Sequence, residues 1–82
     1  MLIEVSDTSA RFDREVKLPL YARHGVAEVW LVDLETRAVE ICTAPNREHS
    51  TYTERRIVLQ GIAAPRVLPQ CGVPVEQLFP RP

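Results

Sequence analysis

The chain has 82 residues, of which 45% are apolar and 26% are charged, and its ten basic and eleven acidic side chains leave a net charge of −1. This composition is typical of an ordinary globular protein, here one domain over residues 1–82 with a small core. No apolar run approaches the roughly 18 residues that cross a membrane, and no signal peptide is recognisable, so we expect a cytoplasmic protein without membrane contact. The near-neutral charge argues against a general electrostatic hold on nucleic acid.

The first predicted elements are a strand and a helix. Leu2 to Val5 has the pattern of a short strand, and its apolar character predicts burial on both faces. A helix of roughly 14 residues follows, with Thr8 or Ser9 as its N-cap and Gly25 as its left-handed stop. The helix is predicted to be amphipathic, with an apolar stripe at every fourth residue, formed by Phe12, Val16 and Leu20.

Three strands and a short helix complete the predicted order. Glu28 to Asp33 contains four consecutive apolar residues, which is typical of a central strand, and a tight turn then leads into residues 38–43 as an antiparallel hairpin. After the turn-rich segment APNREHS, a further strand is predicted from Ser50 to Leu59. VEQLF predicts at most one helical turn, with Pro74 at its first position. The order strand, helix, strand, strand, strand, short helix predicts an α/β fold with a mixed sheet.

Glu4 is the first residue of chemical interest, because it is a carboxylate inside an apolar strand. Removing an isolated charge from water costs several kcal/mol, so Glu4 must be paired, protonated or bound to a metal. Two readings remain open at this point. Glu4 either lies at an exposed strand end or pairs with Arg14 or Lys17, or it belongs to a functional site.

A polar stripe on the predicted helix offers a second set of candidates. Asp13, Lys17 and Tyr21 are spaced four residues apart and therefore share one side of the helix, at the rim of its apolar face. One interpretation is a surface ion pair between Asp13 and Lys17, which would contribute only a few tenths of a kcal/mol. The other is that Lys17 reaches back over the first strand towards Glu4.

Other common kinds of site receive no support from the sequence. Cys42 and Cys71 do not form a CxxC pair, which indicates reduced packing thiols rather than a disulfide or a zinc site. His24 stands beside the predicted helix end and His49 in a predicted loop, so both are expected at the surface. The chain contains no GxGxxG, Walker, GxSxG or HExxH motif.

The segment LIEVSDTSARFDREVKLPLYARHGVAEVWLVDLETRAVEI resembles the signature region of the Uma-two family, prokaryotic proteins with a restriction-endonuclease-like fold. The likeness covers residues 2 to about 43 and extends more loosely to the final VEQLF. It is carried by Glu4-Val5-Ser6, the Thr8-Ser9 turn, the helix residues Asp13, Lys17, Leu18, Leu20 and Tyr21, the Gly25-Val26 stop and the strand Glu28–Asp33.

The resemblance implies a metal-dependent DNA endonuclease of the wider PD-(D/E)XK group, which hydrolyses phosphodiester bonds. In such enzymes Mg²⁺ or Mn²⁺ is held by an aspartate and a glutamate, and a nearby lysine stabilises developing charge or orients the attacking water. By resemblance, Glu4 is the metal-binding glutamate and Lys17 is the catalytic lysine, which the family carries on the helix.

The resemblance also implies parts that this chain is expected to lack. By resemblance, the family's metal-binding aspartate would stand before Met1, so the chain is expected to correspond to the C-terminal half of a truncated restriction-endonuclease-like core. Asp7 is a candidate to replace some of the missing charge. The alternative function is therefore an inactive remnant or fragment that acts as a structural or oligomerisation module. A truncated sheet would expose an edge and apolar surface, which predicts a homodimer or larger assembly.

Overall fold

The computed structural model describes residues 1–6, 10–66 and 70–79, and gives no side-chain detail for residues 6 and 10–14. Its elements, in chain order, are β1 (Leu2–Ser6), α1 (Ala10–Arg23), β2 (Glu28–Asp33), β3 (Ala38–Asn46), β4 (Thr51–Val58), β5 (Ile62–Ala63), β6 (Val73–Pro74) and a short 3₁₀ helix (Val75–Leu78). Four strands form one sheet in the order β1-β2-β3-β4, and β5 and β6 form a separate two-stranded ribbon.

The predicted mixed α/β fold is confirmed. β1 pairs in parallel with β2, whereas β2, β3 and β4 pair antiparallel in succession. A parallel pair cannot be joined by a tight turn, so the connection must cross one face of the sheet, and α1 is that crossover. The longest described helix has 14 residues, and none in the described part of the chain is long and apolar enough to span a membrane.

The sheet carries a hydrophobic cluster on each face. On the face covered by α1, the cluster contains Leu18, Ala22, Val29, Cys42 and Tyr52. On the opposite face, the ribbon and the 3₁₀ helix cover a cluster that contains Trp30, Val32, Val39, Ile41, Ala63, Val75 and Phe79. Alternate residues of β2 therefore serve two separate cores, which explains why this strand is apolar without interruption.

Glu28 attaches the C-terminal layer to the sheet. Its carboxylate accepts a hydrogen bond from the Trp30 indole at 2.6 Å and another from the Arg66 backbone N–H at 2.8 Å. Glu28 is buried, so both hydrogen bonds form away from bulk water, where a missing partner would be costly. The ribbon and the 3₁₀ helix are joined in turn by a 2.7 Å hydrogen bond from the Val75 N–H to the Gly61 carbonyl.

Two predictions of burial were wrong. β1 is not buried on both faces, because Ile3 and Val5 are 49% and 59% exposed. Among the described residues, β1 lies at an edge of the sheet, and the C-terminal layer packs over β2 and β3 instead. On α1, Val16 and Leu20 are about half exposed, and the buried side is formed by Leu18 and the small Ala22, which allows close contact with the sheet.

Several boundaries also differ from the prediction. β3 continues through Ala44, which has a positive φ of 57°, to Asn46, so the loop is shorter than APNREHS. The final turn is a 3₁₀ helix with Pro74 at its N-cap rather than at its first position, and the ribbon was not predicted. The proposed caps Thr8 and Ser9 lie outside the described residues, as does Asp7, and the side chains of Phe12, Asp13 and Arg14 do too.

A second carboxylate, Glu40, lies on the α1 face of the sheet. Arg55 donates to its Oε2 atom from Nε at 2.8 Å and from its terminal nitrogen at 2.6 Å. The Glu40 side chain is only 6% exposed, whereas that of Arg55 is 47% exposed. The hydrogen bond to Glu40 is the main cause that raises the pKa of Arg55 above its ordinary value, so the guanidinium stays charged.

Removing this guanidinium should destabilise the fold. Arg55→Met keeps the apolar stem but removes both hydrogen bonds to a buried carboxylate, and we expect the free energy of unfolding to fall by about 2 kcal/mol. Its exposed neighbour provides the control, since Arg56→Met should change stability by no more than about 0.5 kcal/mol. Urea denaturation measures both variants, and equal effects would show that the Glu40 contact contributes nothing of its own.

Tyr52 should make the fold sensitive to alkaline pH. Its hydroxyl donates to the Val26 carbonyl at 2.6 Å, and burial, with a smaller contribution from Cys42, raises its pKa from 10.0 to about 12. Between those values the unfolded chain has lost the tyrosine proton and the folded chain has kept it. The free energy of unfolding should therefore fall as the pH rises through this window. Tyr52→Phe should show a shallower fall in urea titrations over the same range, and identical slopes would contradict this assignment.

Candidate active site

Glu4 lies in the middle of β1, opposite Leu31 of β2, and its side chain points to the face covered by α1. The side chain is 24% exposed, so it is partly withdrawn from water but still reachable. The neighbouring strand positions on the same face belong to the apolar cluster under the helix. Glu4 is therefore a carboxylate at the border between a hydrophobic core and the open edge of the sheet.

Two residues of α1 contact this carboxylate. The Tyr21 hydroxyl donates a hydrogen bond to Oε1 of Glu4, and the Lys17 ammonium lies 3.6 Å from Oε2. Lys17 and Tyr21 are one helical turn apart, so both project from the same side of the helix. Of the two interpretations of Lys17, the reach towards Glu4 is the one observed, and a contact with Asp13 involves a side chain outside those described.

The end of α1 determines where this pair of side chains lies. Gly25 has a φ of +73°, the Gly25 N–H donates to the Ala22 carbonyl at 3.0 Å, and the Val26 N–H donates to the Tyr21 carbonyl at 3.0 Å. These two hydrogen bonds form a Schellman motif, for which a glycine in the left-handed region is favoured. The last turn is thus fixed, and with it the helix position from which Tyr21 reaches β1.

Tyr21 is the residue of this group whose role the sequence did not reveal. The sequence placed it on the same stripe as Lys17, but spacing along a helix cannot show which strand residue lies opposite.

The composition contains a further signal that points to Lys17, because it is the only lysine among the ten basic residues. Arginine also binds carboxylates well, so a single lysine set against a carboxylate indicates a preference for a compact ammonium group.

Several other charged residues that the structure describes lie away from Glu4. Asp33 accepts hydrogen bonds from the Glu35 and Thr36 N–H groups and so caps the turn after β2. Glu28 serves the opposite face, and Glu40 lies two strands from Glu4, roughly 10 Å away by strand spacing. His24 and His49 are exposed, as expected. Cys42 is buried and Cys71 is exposed, and both are free thiols.

The site fits a divalent metal ion only in part. Among the described residues, no three histidine, cysteine, aspartate or glutamate side chains lie close enough together to hold one. Mg²⁺, however, often takes one or two carboxylates and completes its octahedron with water and substrate phosphate. Glu4 alone is suited to that shared mode of binding, and not to a metal site made entirely of protein ligands.

A wide depression of about 730 Å³ lies elsewhere on the sheet, lined by residues that include Thr43, Glu54 and Arg66. Two of its charged residues are paired with each other, because Glu54 accepts from the Arg66 guanidinium at 2.8 Å, and Glu54 also accepts from the Thr43 hydroxyl at 3.3 Å. The exposed Arg56 lines the depression as well, which does not include Glu4 or Lys17.

Comparison with known proteins identifies the family. No curated protein matches the chain. The family model of Uma2, described as "Putative restriction endonuclease", matches residues 1–76, and so includes Glu4, Lys17 and Tyr21. The match extends well beyond residues 2–43, which carried the resemblance. It includes β4, the β5–β6 ribbon and the start of the 3₁₀ helix. Because it covers 76 of the 82 residues, this chain belongs to the Uma2 family.

Proposed function

We propose that the chain forms part of a DNA endonuclease site of the PD-(D/E)XK type, in which Glu4 and Lys17 act on the phosphodiester. The observation that carries this proposal is the ion pair between Lys17, the chain's only lysine, and the partly buried carboxylate of Glu4, at 3.6 Å. The description of the Uma2 family, "Putative restriction endonuclease", supports this reaction class. We also propose that the protein acts in the cytoplasm.

The two side chains suit complementary parts of phosphodiester hydrolysis. The reaction adds water to phosphorus and breaks one P–O bond, so negative charge increases on the phosphate oxygens in the transition state. The Lys17 ammonium, whose side chain is 41% exposed beside Glu4, is suited to stabilise that charge. The Glu4 carboxylate is suited to accept a hydrogen bond from the attacking water, or to hold a cation beside it.

We further propose Mg²⁺ or Mn²⁺ as the cofactor, with Glu4 as its protein ligand. When bound, such an ion would lower the pKa of a coordinated water and neutralise phosphate charge. The Lys17 ammonium already lies beside Oε2, so a cation at Glu4 would compete with it unless the phosphate draws the ammonium away. Lys17 has a flexible four-carbon stem, which makes that displacement easy.

Nicking of supercoiled plasmid DNA in the presence of Mg²⁺ or Mn²⁺ tests the proposed activity. Glu4→Gln preserves shape but removes charge, and we expect it to lower the nicking rate by about 100-fold or more. Lys17→Met should have a similar effect, whereas Lys17→Arg should retain part of the activity because the positive charge remains.

The matched control for these variants is Glu48→Gln, a charge-removing change in the exposed turn after β3, which should nick at the wild-type rate. Nicking that persists unchanged in both Glu4→Gln and Lys17→Met would remove these residues from the mechanism. A wild-type chain that does not nick with either metal would instead favour the second candidate.

The second candidate function is a homo-oligomerisation module, and the edge of the sheet supports it. β1 has β2 on one side only, so the backbone groups on its other side face away from the sheet among the described residues. Ile3 and Val5 project from the same strand and are largely exposed. A strand edge with adjacent apolar side chains is a template for pairing with another strand. We propose a second copy of the chain as the partner, through an isologous contact of the two β1 edges.

Sedimentation velocity at micromolar concentration tests this association. We expect the wild type to sediment as a dimer and Ile3→Lys to shift it towards the monomer, because a charge on the paired edge opposes strand addition. Ile57→Lys is the matched control, since Ile57 is 62% exposed on β4 at the other edge. A folded wild-type monomer, or equal shifts in the two variants, would contradict the β1 interface.

A further inference from the structure

Tyr21 differs from Lys17 in how firmly it is held. Its ring packs at the margin of the cluster formed by Leu18, Ala22 and Val29, while its hydroxyl reaches Glu4. Its backbone carbonyl is fixed by the Val26 N–H in the Schellman motif. The side chain has only two rotatable angles, and its contacts restrict both of them. The hydroxyl is therefore a hydrogen-bond donor in a nearly fixed position.

The contacts of Glu4 divide its two oxygens between different tasks. Tyr21 donates to Oε1, and Lys17 lies beside Oε2. A glutamate side chain on an edge strand would otherwise rotate among several conformers, because it has three flexible angles and only partial cover. With one oxygen held by a rigid donor, the other points persistently to the side where Lys17 lies.

We propose that Tyr21 is a positioning residue for Glu4, which fixes the carboxylate so that Oε2 faces Lys17 and any incoming phosphate or cation. The catalytic consequence rests on the endonuclease function proposed above, whereas the orientation of Glu4 does not. A merely structural role is the competing explanation, in which the hydrogen bond ties α1 to β1 and has no effect on the geometry of the site. The two explanations predict different behaviour of the Glu4 side chain.

The first experiment measures that side chain directly in the 82-residue chain. ¹³C relaxation of the Glu4 Cγ gives its order parameter on the picosecond to nanosecond timescale. Tyr21→Phe retains the ring and removes only the hydroxyl, and we expect the order parameter to fall by about one half. Tyr52→Phe is the matched control, because it also removes a hydroxyl beneath α1 but one that donates to Val26.

A comparison of four variants with the wild type separates a positioning role of Tyr21 from a general loss of stability. Tyr52→Phe should lower stability at least as much as Tyr21→Phe yet leave the Glu4 order parameter at its wild-type value. An unchanged order parameter in Tyr21→Phe would overturn the proposal, whatever its effect on stability. Tyr21→His, which returns a donor on a ring, should restore part of the order if it folds, and Lys17→Met should leave most of it intact.

Kinetics then test the consequence for catalysis. In the plasmid assay, Tyr21→Phe should lower kcat by about tenfold with little change in KM, because a misoriented carboxylate weakens the transition state more than substrate binding. A lowered order parameter without any nicking by the wild type would support the positioning role and refute the endonuclease function. Nicking at the wild-type rate and an unchanged order parameter in Tyr21→Phe would refute the positioning role and support the endonuclease function.

Discussion

The parallel pairing of β1 with β2 is the constraint on which the rest of the structure depends. Parallel neighbours require a crossover, and the crossover helix α1 must lie on one face of the sheet. That placement puts Lys17 and Tyr21 over the strand that carries Glu4. An antiparallel β1 would need no helix above it, and the three side chains would have no reason to meet. The candidate site is thus a direct product of topology.

Much of this arrangement could be predicted from the sequence because it depends on local patterns. The uninterrupted apolar run from Val29 to Val32 predicted a central strand, and the hairpin to β3 followed from alternation and a short turn. Gly25 predicted the end of the helix, since few other residues adopt a φ of +73° there. In each case neighbouring residues along the chain contain the necessary information.

The failures share a different physical cause. The burial of β1 and the orientation of α1 depend on which surfaces meet, and that is set by contacts between residues far apart in sequence. Val16 and Leu20 form an apolar stripe as convincing as any other, but the small Ala22 allows closer packing and so its side of the helix faces the sheet. The short ribbon was missed for a related reason, since Glu28 holds that segment through a backbone N–H 38 residues away. Patterns of side chains do not encode such a bond.

The same strand carries both the candidate catalytic carboxylate and the open edge of the sheet, and this links the two proposed functions. Any strand that pairs with β1 lies about 4.8 Å from it, and alternate side chains of that strand point to the face on which Glu4 lies. A strand added to this edge would therefore supply new neighbours to Glu4, including further carboxylates or cations. Ile3 and Val5 point away from α1, to the opposite face of the sheet. The added strand would pack well against them only if its side chains on that face were apolar. The chemistry available at Glu4 and the partner bound at β1 are consequently not independent properties of this fold.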